Sequence, residues 1–121
     1  MSSTVLIVDD DFYNRLVLKE FMKGLDVFVI EAENGEKAIQ IYEDKYQEID
    51  LVLLDYKMPL LNGYETLLQL KKINNNIKSI LITGNFLCLM NIDELNSFNS
   101  VLEKPIIFEV LRKELLKYGI K

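Results

Sequence analysis

A single cysteine, Cys88, is all the thiol this chain carries, so no internal disulfide can form. It lies in the apolar stretch Phe86-Leu87-Cys88-Leu89-Met90 and reads as a core residue rather than a reactive thiol. Positive charge is also scarce. Lys and Arg together number 14 against 19 Asp and Glu, a net charge of −5, so the overall field opposes polyanions and makes nucleic acid a poor direct partner. No apolar run approaches the roughly 20 residues of a membrane helix. The opening Met1-Ser2-Ser3-Thr4 lacks the basic segment and apolar core of a secretory signal, so a cytoplasmic protein with no membrane role is expected. Room for a second domain is lacking too, and residues 1–121 are expected to form one domain.

What is present is ordinary globular material, half hydrophobic and 27% charged. Short β-branched apolar runs alternate with charged, helix-periodic segments, the pattern of βαβ units around a parallel sheet. Five strands are expected, over residues 4–8, 27–31, 51–54, 79–83 and 100–103. The unbroken runs Val5-Leu6-Ile7-Val8 and Leu51-Val52-Leu53-Leu54 fit central strands buried on both faces. Four helices follow from their apolar stripes. Leu16, Leu18, Phe21 and Met22 mark the first, which Gly24 stops. Ala38, Ile39 and Tyr42 mark the second, capped by Asn34. Leu67, Leu68 and Leu70 mark the third, entered through Asn62-Gly63 and ended by Asn74-Asn75-Asn76. Val110, Leu111, Leu115 and Leu116 mark the last, after Pro105. Residues 85–99 predict only a short or irregular helix, because their asparagines and serines compete with helical backbone bonding. The architecture is an open α/β sheet with helices on both faces.

In such a sheet ligands bind beyond the carboxyl ends of the strands, so the residues just after each apolar run carry the information. After the first strand come Asp9, Asp10 and Asp11; after the third, Asp55; the fourth ends in Thr83; the fifth ends in Glu103-Lys104-Pro105. Carboxylates, a hydroxyl and an ammonium thus meet at one edge. Clustered carboxylates repel, so either a cation joins them or some take up protons, and hard oxygen donors imply Mg2+. Asp10 and Asp55 suit direct ligation, with Asp9 supporting through water. Lys104 and the Thr83 hydroxyl suit phosphoryl oxygens, since positioning and electrostatics are most of what phosphoryl transfer requires. Asp11 is the acidic residue best explained as a helix cap alone.

Val8-Asp9-Asp10, Asp55 followed by Met58-Pro59 and Gly63, Thr83, and Lys104-Pro105 together resemble the response-regulator receiver family of two-component signalling. The likeness spans essentially the whole chain. The stretch from Asp9-Asp10 to Asn14-Arg15 is especially similar to receivers attached to hybrid histidine kinases, and stand-alone single-domain regulators are similar as well. The resemblance implies a flavodoxin-like strand order, 2-1-3-4-5, with five helices on both faces. It implies that Asp55 is the nucleophile that takes a phosphoryl group from a phosphohistidine. Asp9 and Asp10 would then hold Mg2+ with the Asp55 carboxylate and the main-chain carbonyl of Lys57, while Thr83 and Lys104 would contact the phosphoryl group. It also implies a cis peptide at Lys104-Pro105. Implied partners are a sensor histidine kinase or histidine phosphotransfer protein, and a downstream protein target bound on the face of the fourth helix, fifth strand and fifth helix.

The chain contains no histidine, so it cannot itself be the kinase or the phosphotransfer module. Any catalysis is confined to its own phosphorylation and its own slow hydrolysis. Lys57 and Asn85, two residues beyond Asp55 and Thr83, stand where the family borders the path of attacking water, and they imply a long-lived phosphoryl group. Three positions depart from the family pattern: Val101 replaces an aromatic, Gly84 an alanine and Ile106 a phenylalanine. Valine has little rotamer freedom, so the switch is expected to move the segment 84–100, with Phe86 or Phe98 in the packing role. One alternative is a receiver fold kept only as an interaction module. A haloacid-dehalogenase-type phosphatase would use the Asp9 and Asp11 spacing, but the chain has no room for a substrate cap. A flavin carrier would need a neutral hydroxyl and glycine loop after the first strand.

Overall fold

The computed structural model describes residues 2–84 and 90–121. The expectations placed on Asn85, Phe86 and Cys88 lie outside the described residues. Five parallel strands, β1 (Ser3–Val8), β2 (Val27–Ala32), β3 (Leu51–Asp55), β4 (Ser79–Thr83) and β5 (Ser100–Glu103), form one sheet in the order β2-β1-β3-β4-β5. The helices are α1 (Phe12–Met22), α2 (Gly35–Lys45), α3 (Gly63–Ile73), α4 (Ile92–Asn96) and α5 (Phe108–Lys117). This is the doubly wound, flavodoxin-like arrangement. Among the described residues no helix is long and apolar enough to cross a membrane.

Register follows from the apolar runs. Every residue of β3 and β4 is buried, as are Val5 to Val8 of β1, because each central strand is covered on both faces. One face packs Val5, Ile7, Leu53, Ile80 and Ile82 against Leu18 and Met22 of α1 and Leu111 and Leu115 of α5. The other packs Leu6, Val8, Val52, Leu54 and Leu81 against Ala38 and Tyr42 of α2, Leu67 and Leu70 of α3, and Phe98. Each fully buried leucine or isoleucine contributes on the order of 1.5–3 kcal/mol.

The helical stripes are narrower than the sequence suggests. Leu16, Leu68, Val110 and Leu116 are exposed, although each sits within an apolar cluster in the sequence. A neighbour along a helix is turned by about 100°, so when Leu67, Leu111 and Leu115 face the sheet, Leu68, Val110 and Leu116 are carried off it. Asn34 caps α2 as expected, and α3 gains a cap the sequence reading did not name. Asn34 Oδ1 accepts from Lys37 N at 2.7 Å, and Asn62 and Glu65 form a reciprocal capping box. Gly24, with φ of +90°, turns the chain out of α1. In the segment 90–99 the asparagines do more than interrupt a helix: Asn91 caps α4 by accepting from Glu94 N at 2.8 Å, while Glu94 reaches back to Asn91 N.

Candidate functional site

β1 and β3 are adjacent and end level, with Val8 opposite Leu54, so Asp9 and Asp55 leave the sheet side by side. Asp9 and Asp55 are 2% and 7% exposed, whereas Asp10 projects into solvent. One carboxylate oxygen from each of Asp9, Asp10 and Asp55 lies within 4.8 Å of the others. Lys104, just beyond β5, brings its Nζ to 3.1 Å from Asp55 Oδ1 and 3.9 Å from Asp9 Oδ2. Its backbone is fixed by Lys104 N donating to Thr83 O at 2.7 Å, and it precedes the cis Lys104-Pro105 bond.

Two buried carboxylates this close resist ionising. Burial pushes the Asp55 carboxyl up to about 6, repulsion from Asp9 adds to the rise, and Lys104 opposes it. Burial also raises Asp9, against the hydrogen bond from Asp11 N. The Lys104 ammonium only partly offsets the negative charge that Asp9, Asp10 and Asp55 bring together. The donors are hard oxygens around a negatively charged hollow, which fits Mg2+. On β4, Thr83 Oγ1 is buried and, like Thr66 Oγ1 on α3, has no hydrogen-bond partner among the described residues, a condition that costs about 1–3 kcal/mol. Such a hydroxyl at the strand end is poised to bond a ligand that arrives there.

The supporting geometry comes from neighbouring loops. Asp11 caps α1, its carboxylate accepting from Tyr13 N at 2.8 Å while its own N donates to Asp9 Oδ1 at 2.9 Å. Lys57 is exposed on the loop between β3 and α3. That loop closes tightly: Gly63 N donates to Tyr56 O at 2.7 Å, and a Cβ at Gly63 would stand 2.4 Å from Asp55 O. Glycine is required there so that α3 can start against the backbone of Asp55. A cleft of about 270 Å³ opens beside the carboxylates between α1 and the start of α5, lined in part by Asp9, Asn14, Val17, Lys104 and Ile106.

Two contacts near the carboxylates were not anticipated from the sequence. Arg15 Nη1 donates to Asp9 O at 2.8 Å, and Tyr56 Oη donates to Glu94 Oε2 at 3.2 Å. Arg15 was legible only as part of a family-like stretch, and Tyr56 carried no signal beyond its place after Asp55. Both contacts join residues from separate elements, which spacing alone does not reveal.

Comparison with known proteins agrees with this architecture. The family model described as "Response regulator receiver domain" matches residues 5–116. The chain belongs to the response-regulator receiver family, a class of domain in two-component signalling. It is 31% identical over 118 residues to the autoinducer 1 sensor kinase/phosphatase LuxN of Vibrio harveyi, covering 94% of this chain but only 13% of that protein. It is 32% identical over 120 residues to sporulation initiation phosphotransferase F of Bacillus subtilis, covering 98% of this chain and 94% of that one. Among solved structures, the response regulator protein TrrA of Thermotoga maritima, in complex with Mg2+ and BeF, superposes with a TM-score of 0.86 at 28% identity, covering 96% of this chain and 98% of that one. The chain thus spans a small part of the sensor kinase it matches and nearly the whole of the small phosphotransferase.

Proposed function

We propose that this receiver accepts a phosphoryl group on Asp55 from a phosphohistidine of a sensor kinase or histidine phosphotransfer protein, in a Mg2+-dependent reaction that alters its binding to a downstream partner. The observation that carries the reading is the placement of Asp55: a buried carboxylate flanked by Asp9 and Asp10, with the Lys104 ammonium 3.1 Å away. A carboxylate oxygen of Asp55 attacks phosphorus. The new P–O bond forms as the P–N bond breaks, and the electron pair leaves on the imidazole nitrogen of the donor. Asp9, Asp10, Asp55 and the Lys57 carbonyl would hold Mg2+, which supplies charge neutralisation between the anionic nucleophile and the incoming phosphate. Lys104 pairs with a phosphoryl oxygen, and the Thr83 hydroxyl gains the partner it otherwise lacks.

A protein donor is favoured by the surface around the site. Phe12, Tyr13 and Val17 are all exposed on α1, and Val17 lines the cleft, more apolar exposure than isolated surface residues require. For the downstream partner, Ile92, Ile107 and Val110 are exposed on the side of α4 and α5. On this proposal the protein works in the cytoplasm, with residues 1–121 as one receiver unit.

The test is intact-mass measurement after incubation with acetyl phosphate and Mg2+. One labile phosphoryl group is expected on the wild type and none on Asp55→Asn, which keeps the shape and removes the nucleophile. A wild type that takes no label from acetyl phosphate or from a phosphorylated histidine protein favours the alternative, a receiver retained as an interaction module.

A further inference from the structure

Arg15 occupies the first turns of α1, yet its side chain is only 13% exposed, and it is held at three points. Nη1 donates to the main-chain oxygen of Asp9 at 2.8 Å, Nε donates to Glu31 Oε1 at 3.1 Å, and the guanidinium carbon lies 5.8 Å from the centre of the Phe12 ring. Glu31, on β2, is fixed from its other side by Lys19 Nζ at 3.0 Å. The guanidinium fork is thus braced by one carboxylate while it grips a single carbonyl, a task that suits a planar group with several donors better than an ammonium.

The gripped carbonyl belongs to the peptide that joins Asp9 to Asp10. A peptide unit is planar, so fixing its oxygen also fixes the direction in which the chain leaves toward Asp10. Asp9 has other restraints: its N donates to Ala32 O at 3.1 Å, and its carboxylate accepts from Asp11 N at 2.9 Å. Asp10 is exposed and has no core wall to hold it in place. The geometry points to Arg15 as a positioning residue for the divalent-cation site: by clamping the Asp9-Asp10 peptide to Glu31 across the top of β1 and β2, it sets the two carboxylates at the spacing that, with Asp55, receives the ion. The inference rests on the reading that these three carboxylates hold Mg2+.

A purely electrostatic role would have the opposite sign. A cation beside an anionic site repels Mg2+, so its removal by Arg15→Met would leave affinity equal or higher. Removal of a positioning group weakens binding, and loss of a support behind metal ligands typically costs about tenfold or more in affinity.

The experiment is a Mg2+ titration of the full chain, followed by calorimetry and by the backbone amide shifts of Asp10 and Asp55, with metal-free thermal unfolding to verify that each variant is folded. About tenfold weaker binding is expected for Arg15→Met, with a smaller loss for Arg15→Lys, which keeps the charge but not the fork. Wild-type or tighter affinity in folded Arg15→Met overturns the inference alone. If that variant does not fold, Arg15→Lys decides: weaker binding supports the clamp, and wild-type binding overturns it. A wild type that binds no Mg2+ overturns the metal-site reading and this inference with it.

Discussion

Asp55 is held above the usual carboxylate range because burial and the Asp9 carboxylate together outweigh Lys104, which brings its carboxyl to about 6 from an ordinary 3.8. The folded state therefore holds more protons on Asp55 than the unfolded chain does between about pH 4 and 6. Stability contributed by this residue is present at low pH, falls as pH rises through that window, and stays lost above it. A displacement of this size is worth about 3 kcal/mol. Glu31 and Glu114 act in the other sense, since hydrogen bonds from Lys19 and Lys117 lower them, so wild type must be compared with a variant. In metal-free buffer, Asp55→Asn is expected to raise stability at pH 7 by about 1–3 kcal/mol and to leave it little changed near pH 4. Urea unfolding at both values measures this, and an identical pH trend in the two proteins would remove Asp55 as its source.

At the scale of elements, α4 stands out because it has only five residues, far fewer than the roughly 12–15 an isolated helix needs. Its start depends on the Asn91 and Glu94 capping box, and the second carboxylate oxygen of Glu94 accepts from Tyr56 Oη, next in the chain to Asp55. A short helix fastened to the loop after Asp55 opens more readily than a long one packed on the sheet. Val101, in contrast, is a β-branched residue on β5 with little rotamer freedom to switch. Beryllofluoride bound at Asp55 is accordingly expected to change amide hydrogen exchange mostly across residues 84–100, with little effect at Val101 itself. Changes confined to β5 and α5, with α4 silent, would show that the route to the partner face does not pass through α4.

For the molecule as a whole, the acidic edge is a standing electrostatic cost in a protein whose net charge is already −5. A cation that binds only the folded state stabilises it by mass action, by about 2.7 kcal/mol at one hundred times its dissociation constant. Adding Mg2+ should therefore raise the melting temperature by several degrees, increasingly with concentration, whereas Asp10→Ala should blunt the rise by removing one ligand. A thermal shift of equal size in the variant would take Asp10 out of the ligand set.

The chain order by itself determined the sheet and the edge where chemistry collects. Parallel strands covered on both faces must read as unbroken apolar runs, so the first polar residue after the runs of β1 and β3, Asp9 and Asp55, marks the carboxyl edge. Asn34 was legible as a cap for a similar reason, because capping is settled within four residues of chain. What only the tertiary structure decided involves contacts between residues far apart in sequence. The face each helix turns to the sheet left Leu68 and Leu116 in solvent, the approach of α3 to Asp55 required Gly63, and the pairing of β2 with β1 brought Glu31 within reach of Arg15. Local pattern carries period and propensity, but the distance between two side chains on different elements is set by how the layers pack.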